Sequence, residues 1–217
     1  MVTRRSMIAL GGAAAASVVG TGLTTVDAKK KKKRKTVTKT FSNATAITTD
    51  GDGEATPYPS SIQVSGFKKG KIQKIRVFLN GYSAPIPDNI DVMLSATQIS
   101  GRTAVIMSDA GDGVPVSDID LILDDDATTS LPDDGVPPLV SGAYKPANYV
   151  GGGGADTFPA PAPTPSGNSA LSVFNGANPN GTWQLWVYDD PGNGPAQFAG
   201  GWKIEITAQV KKKKKKH

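Results

Sequence analysis

The sequence predicts an all-β domain, a sandwich of antiparallel strands, and three observations carry that expectation. Residues 183–188 alternate, with Trp183, Leu185 and Val187 on one side and Gln184, Trp186 and Tyr188 on the other. Residues 202–207 do the same, Trp202, Ile204 and Ile206 against Lys203, Glu205 and Thr207. That is the two-residue period of a half-buried strand. The 217 residues include 25 Gly and 16 Pro, and beyond the N-terminus no long segment repeats its apolar residues at helical spacing, which favours many turns and short strands. Further strand-like runs recur at about 10–15 residue intervals with Gly, Asp and Pro between them, the spacing of a β-sandwich.

The elements follow in chain order. Residues 1–28 read as an export leader. Thr3-Arg4-Arg5-Ser6-Met7-Ile8 resembles a twin-arginine signature, an Ala- and Gly-rich apolar stretch follows, and Val26-Asp27-Ala28 fits a small-residue cleavage site. A membrane anchor is the rival reading, and residues 7–23 are short and dilute in large apolar side chains for that role. Residues 29–35 and 211–217 are lysine blocks, expected to repel themselves and stay disordered. They serve either as electrostatic tethers to an anionic envelope surface or as solvated tails that aid solubility.

The domain proper is expected over residues 36–210. Strands are predicted at 41–47, 61–64, 72–79, 90–94, 104–107, 119–123, 183–188 and 202–207. The last two are expected to pair as a closing hairpin, interrupted by Pro191, Pro195 and the glycines between them. Asp88-Asn89 and 109–113 mark turns, where Asp and Gly adopt positive φ at low cost. Residues 131–169 break the pattern and predict a segment wrapped over one sheet, pinned by Leu139, Tyr144, Tyr149 and Phe158. Leu171 and Phe174, three apart, predict one docked helical turn.

The net charge of +5 misleads. Residues 36–210 hold nine basic residues against eighteen acidic ones, a body of −9 between positive ends. Such a body repels phosphate, which speaks against nucleic acid as the partner. Cysteine is absent, so there is neither a disulfide framework nor thiolate chemistry. A domain of this size has core enough to manage without disulfides.

Residues 75–94 (IRVFLNGYSAPIPDNIDVML), 101–113 (GRTAVIMSDAGDG), NPNGTWQLWVYDD and GGWKIEI resemble the P domain (P/Homo B domain) of subtilisin-like proprotein convertases, in its bacterial exported form. The likeness covers most of 41–208, and the closing NGTW and GGW elements are its most specific part. It implies a jelly-roll β-sandwich of the galactose-binding-like kind, with about eight antiparallel strands. In convertases the domain follows the protease domain and stabilises it. No protease domain precedes it in this sequence, so the resemblance carries the fold and not the activity.

The residue inventory agrees. A serine protease needs a histidine to take the serine proton, and the sole histidine is His217, the last residue, behind six lysines. No GxSxG, HExxH or GxxxxGK[ST] motif occurs. The run 151–154 is GGGG without the following Lys and Ser/Thr of a phosphate loop, and Asn43 and Asn180 head N-x-T triplets that read as turns. Acidic clusters remain: 50–54, Asp88 with Asp91, Asp109 with Asp112, 124–126 and Asp189 with Asp190. Calcium takes about six to eight oxygens from flexible turns. The best candidates are Asp109 and Asp112 with Asp88 or Asp91, and the rival reading is solvated turn acids.

The expectation is therefore a non-catalytic exported module that binds or stabilises a protein or a cell-wall polymer. An accessory role in subtilisin-like proteolysis, supplied in trans, is the second reading. Sugar binding through Tyr144, Tyr149, Trp186 and Tyr188 is a third, against a packing role for the same rings. Catalysis by an unrecognised acid pair is the remainder.

Overall fold

The computed structural model describes residues 34–150, 156–190 and 194–212. The leader at 1–28, the lysines at 29–33 and 213–216, and the glycine run at 151–154 lie outside them. The described chain forms β1 (Arg34–Asn43), β2 (Ile47–Thr48), β3 (Gly53–Glu54), β4 (Ser60–Val64), β5 (Lys71–Ala84), β6 (Ile90–Ala96), β7 (Thr103–Ser108), β8 (Val116–Asp124), β9 (Gly142–Tyr144), β10 (Ala147–Asn148), β11 (Gly181–Asp189), β12 (Gln197–Phe198) and β13 (Trp202–Lys211). Two 3-10 turns, Pro87–Asn89 and Leu171–Phe174, complete it. No described helix is long and apolar enough to cross a membrane.

Two sheets stack face to face. One runs β1-β13-β5-β12-β2, with β8 against β5 and β9 against β8; the other runs β10-β7-β6-β11-β3, with β4 against β11. The pairings are antiparallel except β8 with β9 and β7 with β10. The eight predicted strands correspond to the eight strands of five or more residues, and the short β2, β3, β9, β10 and β12 were not predicted. They are two or three residues long, too short to show a period.

The core lies between the sheets. Val77, Leu79, Ile204 and Ile206 of one meet Val92, Leu94, Leu185 and Val187 of the other, all essentially inaccessible. In β6 the inner face is Ile90, Val92, Leu94 and Ala96, yet Asp91, Met93 and Ser95 on the outer face are buried too. Residues of the wrapping segment cover that face. Phe158 joins Met93, Val105 and Trp186 in a second, smaller apolar cluster, and Tyr58 meets Trp186 edge-on at 4.9 Å. The segment is held by polar contacts as well: Ser166 donates its amide to Thr103 Oγ1 and its hydroxyl to Thr103 O, both at 2.7 Å, and Tyr58 donates to Pro159 O at 3.1 Å. Leu139, Tyr144 and Tyr149 pack against the main core as expected, and Leu171 and Phe174 dock from the predicted turn.

Three expectations need correction. The two tryptophan strands do not form a hairpin: β11 pairs with β6, β4 and β3, and β13 with β1 and β5. The connection from 189 to 202 changes sheets, contributing β12 on the way, so Trp183 and Trp202 enter the core from opposite sides. Alternation reports a buried face but not the partner strand. The opening strand is Arg34–Asn43, not 41–47; it stops where the Asn43 side chain accepts the amide of Thr45 at 3.0 Å, an Asx turn. And the lysine blocks are not wholly outside the fold, because Arg34 and Lys35 belong to β1 and Lys211 to β13, in register Arg34↔Lys211.

A polar contact links the sheets at the β1–β13 edge. Asn43 and Trp202 are paired across these strands. Both donate to the fully buried Ser60 Oγ of β4 in the other sheet, Asn43 Nδ2 at 3.2 Å and Trp202 Nε1 at 3.0 Å. Removing that acceptor strands two donors, at a cost of about 1–3 kcal/mol. Ser60→Ala is expected to lower unfolding stability by about 2 kcal/mol in denaturant titration, whereas Ser61→Ala, on the exposed side of the same strand, shifts it by less than about 0.5 kcal/mol.

Candidate functional site

Polar chemistry concentrates at one end of the sandwich, where β5 hands over to β6 and where β7 and β11 finish. Asp88 sits in the 3-10 turn Pro87–Asn89. Asp109 and Asp112 occupy the turn after β7 with φ of 47° and 52°, conformations that Asp tolerates better than most residues. Gly111 between them has φ 97°, and an added Cβ would lie 3.1 Å from Pro87 Cβ, so this turn packs directly on the Asp88 turn. The Gly111 amide donates to Pro132 O at 2.9 Å, which draws in the start of the wrapping segment. The result is an open cleft of about 220 Å³ lined by Asp88, Asp109, Asp112, Asp133, Asp134 and Tyr149.

Beneath it lies a second, buried set. Asp91 shares the outer face of β6 with Met93 and is 2% exposed. Its neighbours are Asp156, Asp190 and Asp109, and it hydrogen-bonds Ser108. Ser108 also donates to Asp156 and lies 3.2 Å from Asp109 Oδ2. One hydroxyl carries one proton, so it cannot donate to Asp91, Asp156 and Asp109 together. Burial, then the charges of Asp156 and Asp190, push Asp91 up to about 9 against the hydrogen bond from Ser108. Burial is also the first cause lifting Asp88, Asp156, Asp189 and Asp190, with neighbouring aspartates adding to each. Asp189 is further held by the Thr49 hydroxyl.

Of the four residues expected to hold calcium, Asp88, Asp109 and Asp112 thus line one cleft, and Asp91 turns inward to the proton-sharing set. Among the described residues no three carboxylates converge at the spacing of a metal site. The cleft has the hard oxygen donors calcium prefers, but not drawn together. Asp133, Asp134 and Asp156 were missed as participants; the wrapping segment brings them, and no local pattern announces where such a segment lands. The other clusters have structural employment. Asp124 pairs with Lys74 at 2.8 Å and Arg76 at 3.1 Å, Asp126 with Lys74 at 2.6 Å, and Asp125 accepts the amides of Leu171 and Ser172 at 2.9 and 2.7 Å. Asp50 and Asp52 act on Asp189 by repulsion.

Of the carboxyls that Ser108 bridges, Asp91 is 2% exposed and out of a substrate's reach, and Asp156 is half-buried. Of the four rings considered for sugar stacking, Trp186 is 2% exposed and donates to Ser95 Oγ, the Tyr144 and Tyr149 hydroxyls are tied to Val140 O and Leu131 O, and Tyr188 is partly buried against the smaller apolar cluster. No family model, curated protein or solved structure matches this chain.

The raised carboxyl of Asp91 has a pH consequence. Its unfolded value is near 4 and its folded value about 9, so between these the folded state holds the extra proton. Its contribution is full below the lower value and is lost as pH rises towards the upper one, by up to about 1.4 kcal/mol per pH unit. Denaturation midpoints are expected to fall from pH 5 to pH 9, and Asp91→Asn, which stays neutral throughout, to flatten that slope.

Proposed function

We propose that the chain is a non-catalytic, exported β-sandwich of the P-domain type, which binds or stabilises a protein or cell-wall polymer at the cell surface. The observation that carries this reading is the employment of the motif residues. Trp183 and Trp202 are both fully buried. Trp183 donates to Pro179 O at 2.9 Å and Trp202 to Ser60 Oγ at 3.0 Å. Asn180 clasps the Phe67 backbone, accepting its amide at 2.9 Å and donating to its carbonyl at 2.8 Å. The residues behind the resemblance are spent on architecture, so what they transfer is a scaffold. An accessory role towards a separate subtilisin-like protease is the form in which that scaffold would join proteolysis.

Calcium belongs to the same proposal, at the cleft of Asp88, Asp109 and Asp112. Binding there requires the turn carboxylates to draw together, and the cation would offset the burial and, after it, the repulsion from Asp109 and Asp112 that hold Asp88 above the ordinary carboxylate range. Thermal unfolding tests it. Relative to chelator, calcium at a hundredfold excess over Kd is expected to raise Tm by about 5 °C or more, and Asp109→Asn with Asp112→Asn to remove the increment. Equal curves in chelator and calcium would overturn the calcium part. The scaffold part is tested separately: a subtilisin-like protease from the same cells should melt at higher temperature when mixed with this chain, and an unchanged protease Tm would contradict the accessory role.

A further inference from the structure

The opposite end of the sandwich carries a folded cationic cleft. Lys35 of β1, Lys39 of β1, Lys68 in the turn before β5, and Lys211 and Lys212 at the end of β13 surround about 440 Å³, with Val37, Gly66 and Val210 between them. The strand register creates this crowding: Arg34 faces Lys211, Lys35 faces Val210, and the Lys211 amide donates to Lys68 O at 3.3 Å. Lys39 is held in place. Its ammonium lies 3.4 Å from Ser65 O and 5.4 Å from the centre of the Phe67 ring, over Gly66, where an added Cβ would collide with it. Lys35, Lys39, Lys68 and Lys212 form no ion pair among the described residues. The ammonium groups of these four, gathered around one cleft with no carboxylate among its described lining residues, repel one another, and an anion relieves that repulsion.

This end and the acidic end are far apart. β5 starts at Lys71, opposite Gln209, and finishes at Ala84, three residues before the Asp88 turn. Fourteen residues at strand rise span about 40 Å. Asp88, Asp109, Asp112, Asp133 and Asp134 line the one end and the five lysines the other, and the described chain begins at Arg34 and closes at Lys212, both at the lysine end.

We propose that the lysine end is a docking surface for an anionic lipid bilayer, whose phosphate headgroups enter the cleft of Lys35, Lys39, Lys68, Lys211 and Lys212, and that the domain stands upright with its aspartate end outward. A bilayer is the occupant favoured by charge and geometry. It offers a plane of phosphates that the lysines of the cleft meet together, the lysine runs of the sequence before and after the described residues add positive charge, and its field repels the aspartate end. This inference does not rest on the P-domain reading.

Sedimentation with vesicles tests it, using the full chain at about 0.1 M salt. Binding is expected to vesicles of phosphatidylcholine with a third phosphatidylglycerol and not to phosphatidylcholine alone. Lys35→Gln, Lys39→Gln and Lys68→Gln together, with both terminal runs intact, are expected to weaken partitioning by about a hundredfold, since each basic residue near such a surface contributes about fivefold. Unchanged Tm of the triple variant verifies its fold. Because the chain lacks cysteine, one environment-sensitive dye can be placed at Ser65→Cys or at Val136→Cys, which is 86% exposed near the acidic end. A blue shift with vesicles is expected at position 65 alone. Full binding by the triple variant, equal shifts at both positions, no binding to anionic vesicles, or binding to soluble polyphosphate but not to vesicles would each overturn the proposal.

Discussion

The ten-residue pairing of β1 with β13 governs the rest of the molecule. It joins the first described strand to the last, so Arg34 and Lys211 lie side by side. At its inner end it sets Asn43 beside Trp202, and both reach across to Ser60 in the second sheet. At its outer end it brings Arg34 to Lys211 and gathers lysines that lie far apart in sequence. β1 is also an edge strand. Its Arg34, Lys35 and Lys39 are the charged side chains that keep such an edge from pairing with another copy, so the same residues protect the fold and shape its electrostatic face.

Charge separation along the strands is the second organising feature. Aspartates accumulate in turns, where Asp is favoured for backbone reasons; those of Asp88, Asp109, Asp112, Asp133 and Asp134 gather at one end, while Asp124 and Asp126 lie towards the other, on Lys74. The consequence is a set of carboxyls that repel one another and, where buried, retain protons. Asp91 shows the balance most clearly: desolvation outweighs its hydrogen bond to Ser108. Asp124 shows the opposite outcome. Burial works to raise its carboxyl, but the hydrogen bond from Lys74, the Asp126 amide and the charges of Lys74 and Arg76 together hold it below the ordinary range. The two aspartates differ by what faces them, not by residue type.

Much of this was legible in the sequence. The expected runs overlap all eight long strands, the first of them only at 41–43, and the turn chemistry of Asp109 and Asp112 was readable from Asp and Gly alone. What escaped was long-range. The alternation of 183–188 and 202–207 could not tell a hairpin from two strands in opposite sheets. Trp186 read as an outward residue because the period cannot foresee that Phe158, nearly thirty positions earlier, covers that face. Asp133, Asp134 and Asp156 were invisible as site residues for the same reason. The lysine blocks read as solvated charge, and only pairing with β13 shows that the first of them ends inside a strand.

Backbone hydrogen exchange across β1 is the most direct measurement of the central claim. Alternate amides from Lys35 to Asn43 should exchange slowly, as those of an edge strand bonded on one side do, and should lose protection together with β13. Exchange at unfolded-chain rates throughout 34–40, with β13 still protected, would separate the two lysine runs and contradict the account.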